Sequence, residues 1–194
     1  MRRVRKISLL LAWILCLVAI RTNLTAADFP EEIPFVPTPM EVVDRMLELA
    51  EVKKGDVIYD LGSGDGRIVI RAAKKYGVKA VGIEMDSWLL DKARKDAKAA
   101  GVSHLVTFRA EDALNADISA ATVVTLYMLP WFNEKIKPNF QKHLKPGARI
   151  VAHDFGIEGW KPDKTVILPE FELKPGGYKH QHTLYLWRVT GKAR

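Results

Sequence analysis

Apolar positions recur along this chain with two alternating periods, one of helices and one of short buried strands. Val42, Val43, Met46, Leu47 and Ala50 keep helical spacing. Three signals place the start of that helix: Thr38 as N-cap, Pro39 at the first helical position and Glu41 completing a capping box. Lys53-Lys54-Gly55-Asp56 ends it and leads into a strand over Val57–Leu61. A helix over Ile68–Tyr76 and a strand over Ala80–Glu84 follow. Ser87 is placed to cap the next helix, through Leu89, Leu90, Ala93, Ala97 and Ala100, with Gly101 as its stop. Leu105–Arg109 and Ala121–Leu129 read as strands, the second apolar throughout, as in a parallel strand buried on both faces. Trp131–Leu144 is helical in pattern but holds Pro138, which predicts two pieces or a restart. Ala148–His153, Thr165–Leu168 and Thr183–Val189 complete the strands. The last two are separated only by the turn Lys174-Pro175-Gly176-Gly177, so one of them is expected to run antiparallel. The alternation predicts an α/β fold, a single doubly wound and mostly parallel sheet of seven strands.

The first 27 residues follow another rule. Arg2, Arg3, Arg5 and Lys6 precede an apolar run, Ile7–Ile20, and Thr25 and Ala27 are small enough for the −3 and −1 positions of a cleavage site. The run is short for a bilayer span, which needs about 20 apolar residues. Residues 1–27 therefore read as a signal peptide or as an uncleaved N-terminal membrane anchor, with membrane association through residues 7–20. The body is then expected to be exported or membrane-anchored. Residues 28–38, rich in Pro and Glu, read as an extended arm, and residues 39–190 as one catalytic domain. The lone cysteine, Cys16, lies in the leader, so the body has neither a disulfide nor a Cys nucleophile. Charge points the same way. Five of the 30 basic residues and none of the 23 acids fall in residues 1–27, so the net +7 drops to +2 for the body, and no nucleic-acid partner is expected.

The chemistry concentrates at one strand-to-helix turn, Asp60-Leu61-Gly62-Ser63-Gly64-Asp65-Gly66. Its glycine spacing is neither the dinucleotide fingerprint nor a P-loop. In a doubly wound sheet the ligand lies beyond the carboxyl ends of the strands. Acids stand at three such ends: Asp60, then Glu84 with Met85 eighteen residues past Gly66, then Glu111-Asp112. A carboxylate at the place of Glu84 suits ribose hydroxyls, and one after the third strand suits an adenine amino group. Pyrophosphate favours a helix N-terminus without acids. Here Asp60 and Asp65 crowd that place, which favours a cationic nucleoside over a dinucleotide.

The turn is similar to motif I of class I S-adenosylmethionine (SAM)-dependent methyltransferases, whose fold is Rossmann-like. Pro34-Phe35-Val36-Pro37-Thr38-Pro39, Thr125-Leu126-Tyr127-Met128-Leu129-Pro130, Leu144-Lys145-Pro146-Gly147, His153-Asp154-Phe155 and His182-Thr183-Leu184-Tyr185 extend the likeness. Together they resemble the archaeal broad-specificity protein-lysine methyltransferases and the FAM173-type mitochondrial family. The chain departs from them at Trp131-Phe132, where smaller residues are usual. The resemblance implies that Asp60, Gly62, Gly64, Gly66, Glu84 and Asp112 hold SAM and that Thr38 closes over it. Ser63, Asp65, Met85 and Glu111 border the same place.

It also implies a protein substrate with accessible lysines and a monomeric enzyme. Tyr127 and Trp131 are candidates to surround the amine, and Asp154 to accept its proton. The spacing of His104, His143, His180 and His182 suggests surface or strand residues and no metal. Two alternatives stay open: a small-molecule, lipid or RNA acceptor, and an exported binding protein that kept the fold without catalysis.

Overall fold

The computed structural model describes residues 34–172 and 179–191. The leader and the Lys174–Gly177 turn lie outside the described residues. Among the described residues thirteen elements follow in chain order: α1 (Met40–Leu49), β1 (Val57–Leu61), α2 (Arg67–Tyr76), β2 (Lys79–Glu84), α3 (Ser87–Ala99), β3 (Val106–Ala110), β4 (Val123–Leu126), α4 (Pro130–His143), β5 (Arg149–His153), β6 (Lys164–Ile167), β7 (Phe171–Glu172), β8 (Lys179–His180) and β9 (Thr183–Arg188).

Seven strands form one sheet in the order β3-β2-β1-β4-β5-β9-β6. β1 to β5 are mutually parallel, and β9 runs antiparallel to both β5 and β6. The expected antiparallel strand is thus the last one. β7 and β8 make a separate two-stranded ladder that the sequence pattern did not reveal. Two-residue strands carry no hydrophobic period to read.

Side chains of β5 alternate between the faces of the sheet. Val151 joins the core that α1 and α2 build with Val42, Met46, Leu47 and Ala72. Ile150 pairs with Trp187, whose ring centroid lies 6.1 Å from that of Trp160, which in turn lies 6.5 Å from Phe140 of α4. Helices therefore cover both faces, as the doubly wound reading required.

Three expectations need correction. Thr38 is not an N-cap. α1 begins at Met40 with Pro39 as its cap and no side-chain bond, because the Thr38 hydroxyl is engaged with His153 instead. α3 is capped by Asp86, whose Oδ1 accepts from the N–H groups of Trp88 and Leu89, and Ser87 is its first residue. α4 runs unbroken through Pro138. A proline costs a helix interior about 3 kcal/mol. Buried Phe132, Ile136 and Phe140 anchor this helix, and two buried amides pin it to loops. Asn133 Nδ2 donates to the carbonyls of Phe155 and Gly156, and Asn139 Nδ2 to those of Leu114 and Ala116.

The amino ends of the strands are locked by one buried ion pair. Arg149 Nη2 donates to Asp56 Oδ1, while Nη1 donates to the carbonyls of Ala50 and Glu51 at 2.7 and 3.0 Å. Asp56 also accepts from the Thr122 hydroxyl at 2.7 Å. Burial pushes the Asp56 carboxyl up, but the Lys53 N–H, Thr122 and Arg149 outweigh it and hold it below the usual carboxylate range.

Candidate active site

The strand order reverses between β1 and β4, the place where doubly wound sheets bind their ligands. Asp60 of β1 and Thr125 of β4 are register partners across that reversal. The Thr125 hydroxyl donates to Asp60 Oδ1 at 2.7 Å. Asp60 is only 2% exposed. Its carboxyl is raised from 3.8 to about 7, chiefly by burial; the Thr125 hydroxyl offsets part of that, and the charges of Glu84 and Asp65 add to it. A buried acid that resists ionisation is a place for a cation.

The glycine turn follows at once. Gly62, Gly64 and Gly66 all have φ between +53° and +76°, where side chains are strained. A Cβ on Gly62 would lie 2.5 Å from Met128 Sδ, and one on Gly64 would run into the Phe35 ring. Phe35 belongs to the arm, so the arm rests on the turn. Gly64→Ala is expected to cost about 1–3 kcal/mol, of order one strained φ, and to lift the arm. Denaturant unfolding and faster proteolysis ahead of Met40 check this. Ser63 Oγ is buried without a hydrogen-bond partner in the turn. Such an orphan fits a polar ligand group.

Arg67, which the sequence pattern does not single out, ties this region together. Its guanidinium grips Asp65 through two bonds, of 2.9 and 2.7 Å, and its Nη1 donates to the Thr38 carbonyl at 2.9 Å. Asp65 therefore spends its carboxylate on Arg67, which holds it below the usual range against the push of burial. Glu111 is likewise paired, with Arg109 at 2.8 and 2.5 Å. The acidic field inferred from sequence is narrower than the count of acids implied.

Glu84 stands at the end of β2, where its Oε2 accepts from the Gly64 N–H and its Oε1 from Met85 and Asp86. Those bonds fix it beside the turn. Met85 is 72% exposed at the rim. Asp112 organises the loop after β3, accepting from the Leu114 N–H and from Asn115 Nδ2. Asp60, Glu84, the glycine turn and Ser63 are brought together and fit a nucleoside with a cationic substituent. SAM is such a nucleoside, and these residues would hold it.

The acceptor side lies after β4 and β5. The Tyr127 ring centroid is 4.0 Å from that of His153 and 6.2 Å from that of Phe155, the latter nearly parallel. Burial, then the neighbouring Asp154 carboxylate, raises the Tyr127 hydroxyl above its usual range. Trp131 is the second residue of α4, with Lys135 Nζ 4.9 Å from its ring centroid. Asp154 has φ +58°, and its Oδ1 accepts from the Thr183 N–H at 2.9 Å. That bond and the imidazoles around it hold its carboxyl low despite burial.

The histidine reading needs correction. His180 and His182 do cluster, with His153 and around Asp154, because β9 lies beside β5. Linear spacing could not show it; His153-Asp154 at a strand end and His180-x-His182 were the available signals. His153 is pushed down to about 4, chiefly by burial, with the neighbouring imidazoles adding to it and Asp154 opposing.

Both the sequence and the fold have relatives. Residues 60–164 match the model of the ANTKMT methyltransferase domain. The chain belongs to the ANTKMT methyltransferase family. A relative named protein-lysine N-methyltransferase, from Saccharolobus islandicus, is 42% identical over 84% of this chain and 97% of its own length. The adenine nucleotide translocase lysine N-methyltransferase of Mus musculus is 33% identical over 68% of this chain, which spans 57% of that protein. Among solved structures, an RNA methyltransferase from Salinibacter ruber in complex with S-adenosyl-L-homocysteine is 53% identical. The match has a TM-score of 0.74 and covers 82% of this chain and 97% of that one. The ANTKMT match starts at Asp60, on the strand beside which the strand order reverses.

Proposed function

We propose that this protein transfers the methyl group of SAM to the side-chain amine of protein lysine. The observation that carries the reading is the buried Asp60–Thr125 pair at the reversal of the sheet, set beside the left-handed glycine turn and Glu84. The protein-lysine relative, matched over nearly its whole length, supports the choice of acceptor.

SAM supplies an activated methyl group, so positioning does most of the work. Glu84 would hold the ribose hydroxyls, and Asp60 would hold the cationic end of the donor. The arm, held by Arg67 at the Thr38 carbonyl and by Phe35 on Gly64, shields the site from water. The acceptor must reach the sulfonium as a neutral amine, because an ammonium has no lone pair. Tyr127 and Trp131 offer aromatic faces to the incoming ammonium. Asp154, beside the Tyr127 hydroxyl, is the carboxylate to which its proton passes.

A second reading, methylation of RNA, rests on the Salinibacter ruber structure. Methyl-labelled SAM offered to a lysine-rich protein and to RNA in parallel separates the two. Label in the protein alone supports the lysine reading, and label in RNA alone overturns it. Asp154→Asn is expected to keep cofactor affinity while lowering kcat about 100-fold or more, the low end for a lost proton-transfer group. Steady-state kinetics beside calorimetry checks this. The apolar run at residues 7–20 supports membrane tethering, and the full chain is then expected in the membrane fraction and a form starting at Asp28 in the supernatant.

A further inference from the structure

Three side chains, His153, Asp154 and His182, converge on one point behind Tyr127, with His180 at its edge. His153 and Asp154 come from the end of β5, His180 from β8, and His182 from the link into β9. Around Asp154 Oδ2 stand His180 Nε2 at 3.0 Å, His153 Nε2 at 3.3 Å and His182 Nδ1 at 3.5 Å. His153 Nε2 and His182 Nδ1 are 2.8 Å apart. Asp154's ion-pair partners among the described residues are these imidazoles, with no lysine or arginine.

We propose that His153, Asp154 and His182 form a three-ligand binding site, with an open fourth position, for a divalent transition ion of the zinc type. Zinc takes imidazole nitrogen and carboxylate oxygen tetrahedrally at about 2.0–2.1 Å, which sets ligand atoms about 3.3 Å apart. The three separations among the facing atoms of His153, Asp154 and His182, 2.8–3.5 Å, bracket that edge. The outer atoms of two of the groups are tied elsewhere. His153 Nδ1 bonds the Thr38 hydroxyl at 3.3 Å, and Asp154 Oδ1 accepts from the Thr183 N–H. Such outer bonds orient metal ligands and leave the inner lone pairs facing the ion. Without an ion, two imidazole nitrogens and one carboxylate oxygen compete for shared protons; an ion gives each lone pair its own bond. The side chains of His153, His182 and Asp154 are 0, 3 and 10% exposed, while His180, at 46%, forms the entry.

The site would staple the start of β9 to the end of β5 beside the acceptor wall. Ion binding is read without methyl transfer, so the two readings fail separately. An ion on Asp154 Oδ2 would keep that carboxylate from taking the lysine proton, and Zn2+ is then expected to slow transfer. The test uses untagged full-length protein, stripped with a chelator and titrated with Zn2+ by calorimetry and with Co2+ by visible absorption. One ion per chain with a tetrahedral Co2+ spectrum is expected. His182→Gln should weaken Zn2+ at least tenfold, with SAM calorimetry of the variant as the check on its fold. If that variant does not fold, the wild-type titration decides alone. No stoichiometric binding by wild type, or binding unchanged in folded His182→Gln, would overturn the proposal.

Discussion

Asp60→Asn is expected to weaken SAM binding about 100-fold. A hydrogen bond or contact to a charged partner contributes about 1.5–3 kcal/mol, and each 1.4 kcal/mol is a factor of ten. The amide keeps the shape and the Thr125 contact but cannot become negative. The pH dependence follows from the same carboxyl. In the free protein it is raised to about 7, chiefly by burial. The folded state therefore holds this proton more tightly than the unfolded chain. The stability it contributes is complete below about pH 4 and is lost as pH rises to about 7. A bound sulfonium favours the carboxylate and lowers that value. Binding between pH 6 and 7 is thus expected to release a proton and to tighten as pH rises. Calorimetry in buffers of different ionisation enthalpy measures the release. Asp60→Asn should abolish both the release and the pH dependence.

Asp56→Ala is expected to destabilise the fold by about 3–5 kcal/mol, the usual consequence of leaving one member of a buried pair alone. Arg149 would keep its bonds to the Ala50 and Glu51 carbonyls, but its charge would be buried uncompensated. Double replacement by apolar residues of similar volume should recover much of the loss. Denaturant unfolding of the single and double variants checks this. Cofactor affinity should change little in whatever remains folded, because this pair sits at the opposite ends of the strands from Asp60.

Much of this arrangement was legible in the chain. The alternating periods carried the parallel strands and helices, since each is long enough to show its period. The glycine turn and the strand-end acids marked the ligand's place, because strand order and ligand position are linked. What pattern reading missed was tertiary. Whether an acid is free or paired depends on a partner such as Arg67 or Arg109, and neither changes any local period. Thr38 had every local feature of a cap, yet its hydroxyl goes to His153, 115 residues away. The histidine cluster forms only because β9 folds back beside β5. Pro138 argued locally for a break that the packing of Phe132, Ile136 and Phe140 overrides.

The central claim is a methyl group moved from SAM to a lysine amine by the site built on Asp60. Mass spectrometry of a lysine-rich protein after incubation with methyl-labelled SAM tests it most directly. Labelled methyl on lysine side chains with the wild-type enzyme, and its loss with Asp60→Asn at equal folded concentration, is the predicted result. Unmodified lysines with SAM bound, or equal labelling by wild type and Asp60→Asn, would contradict it.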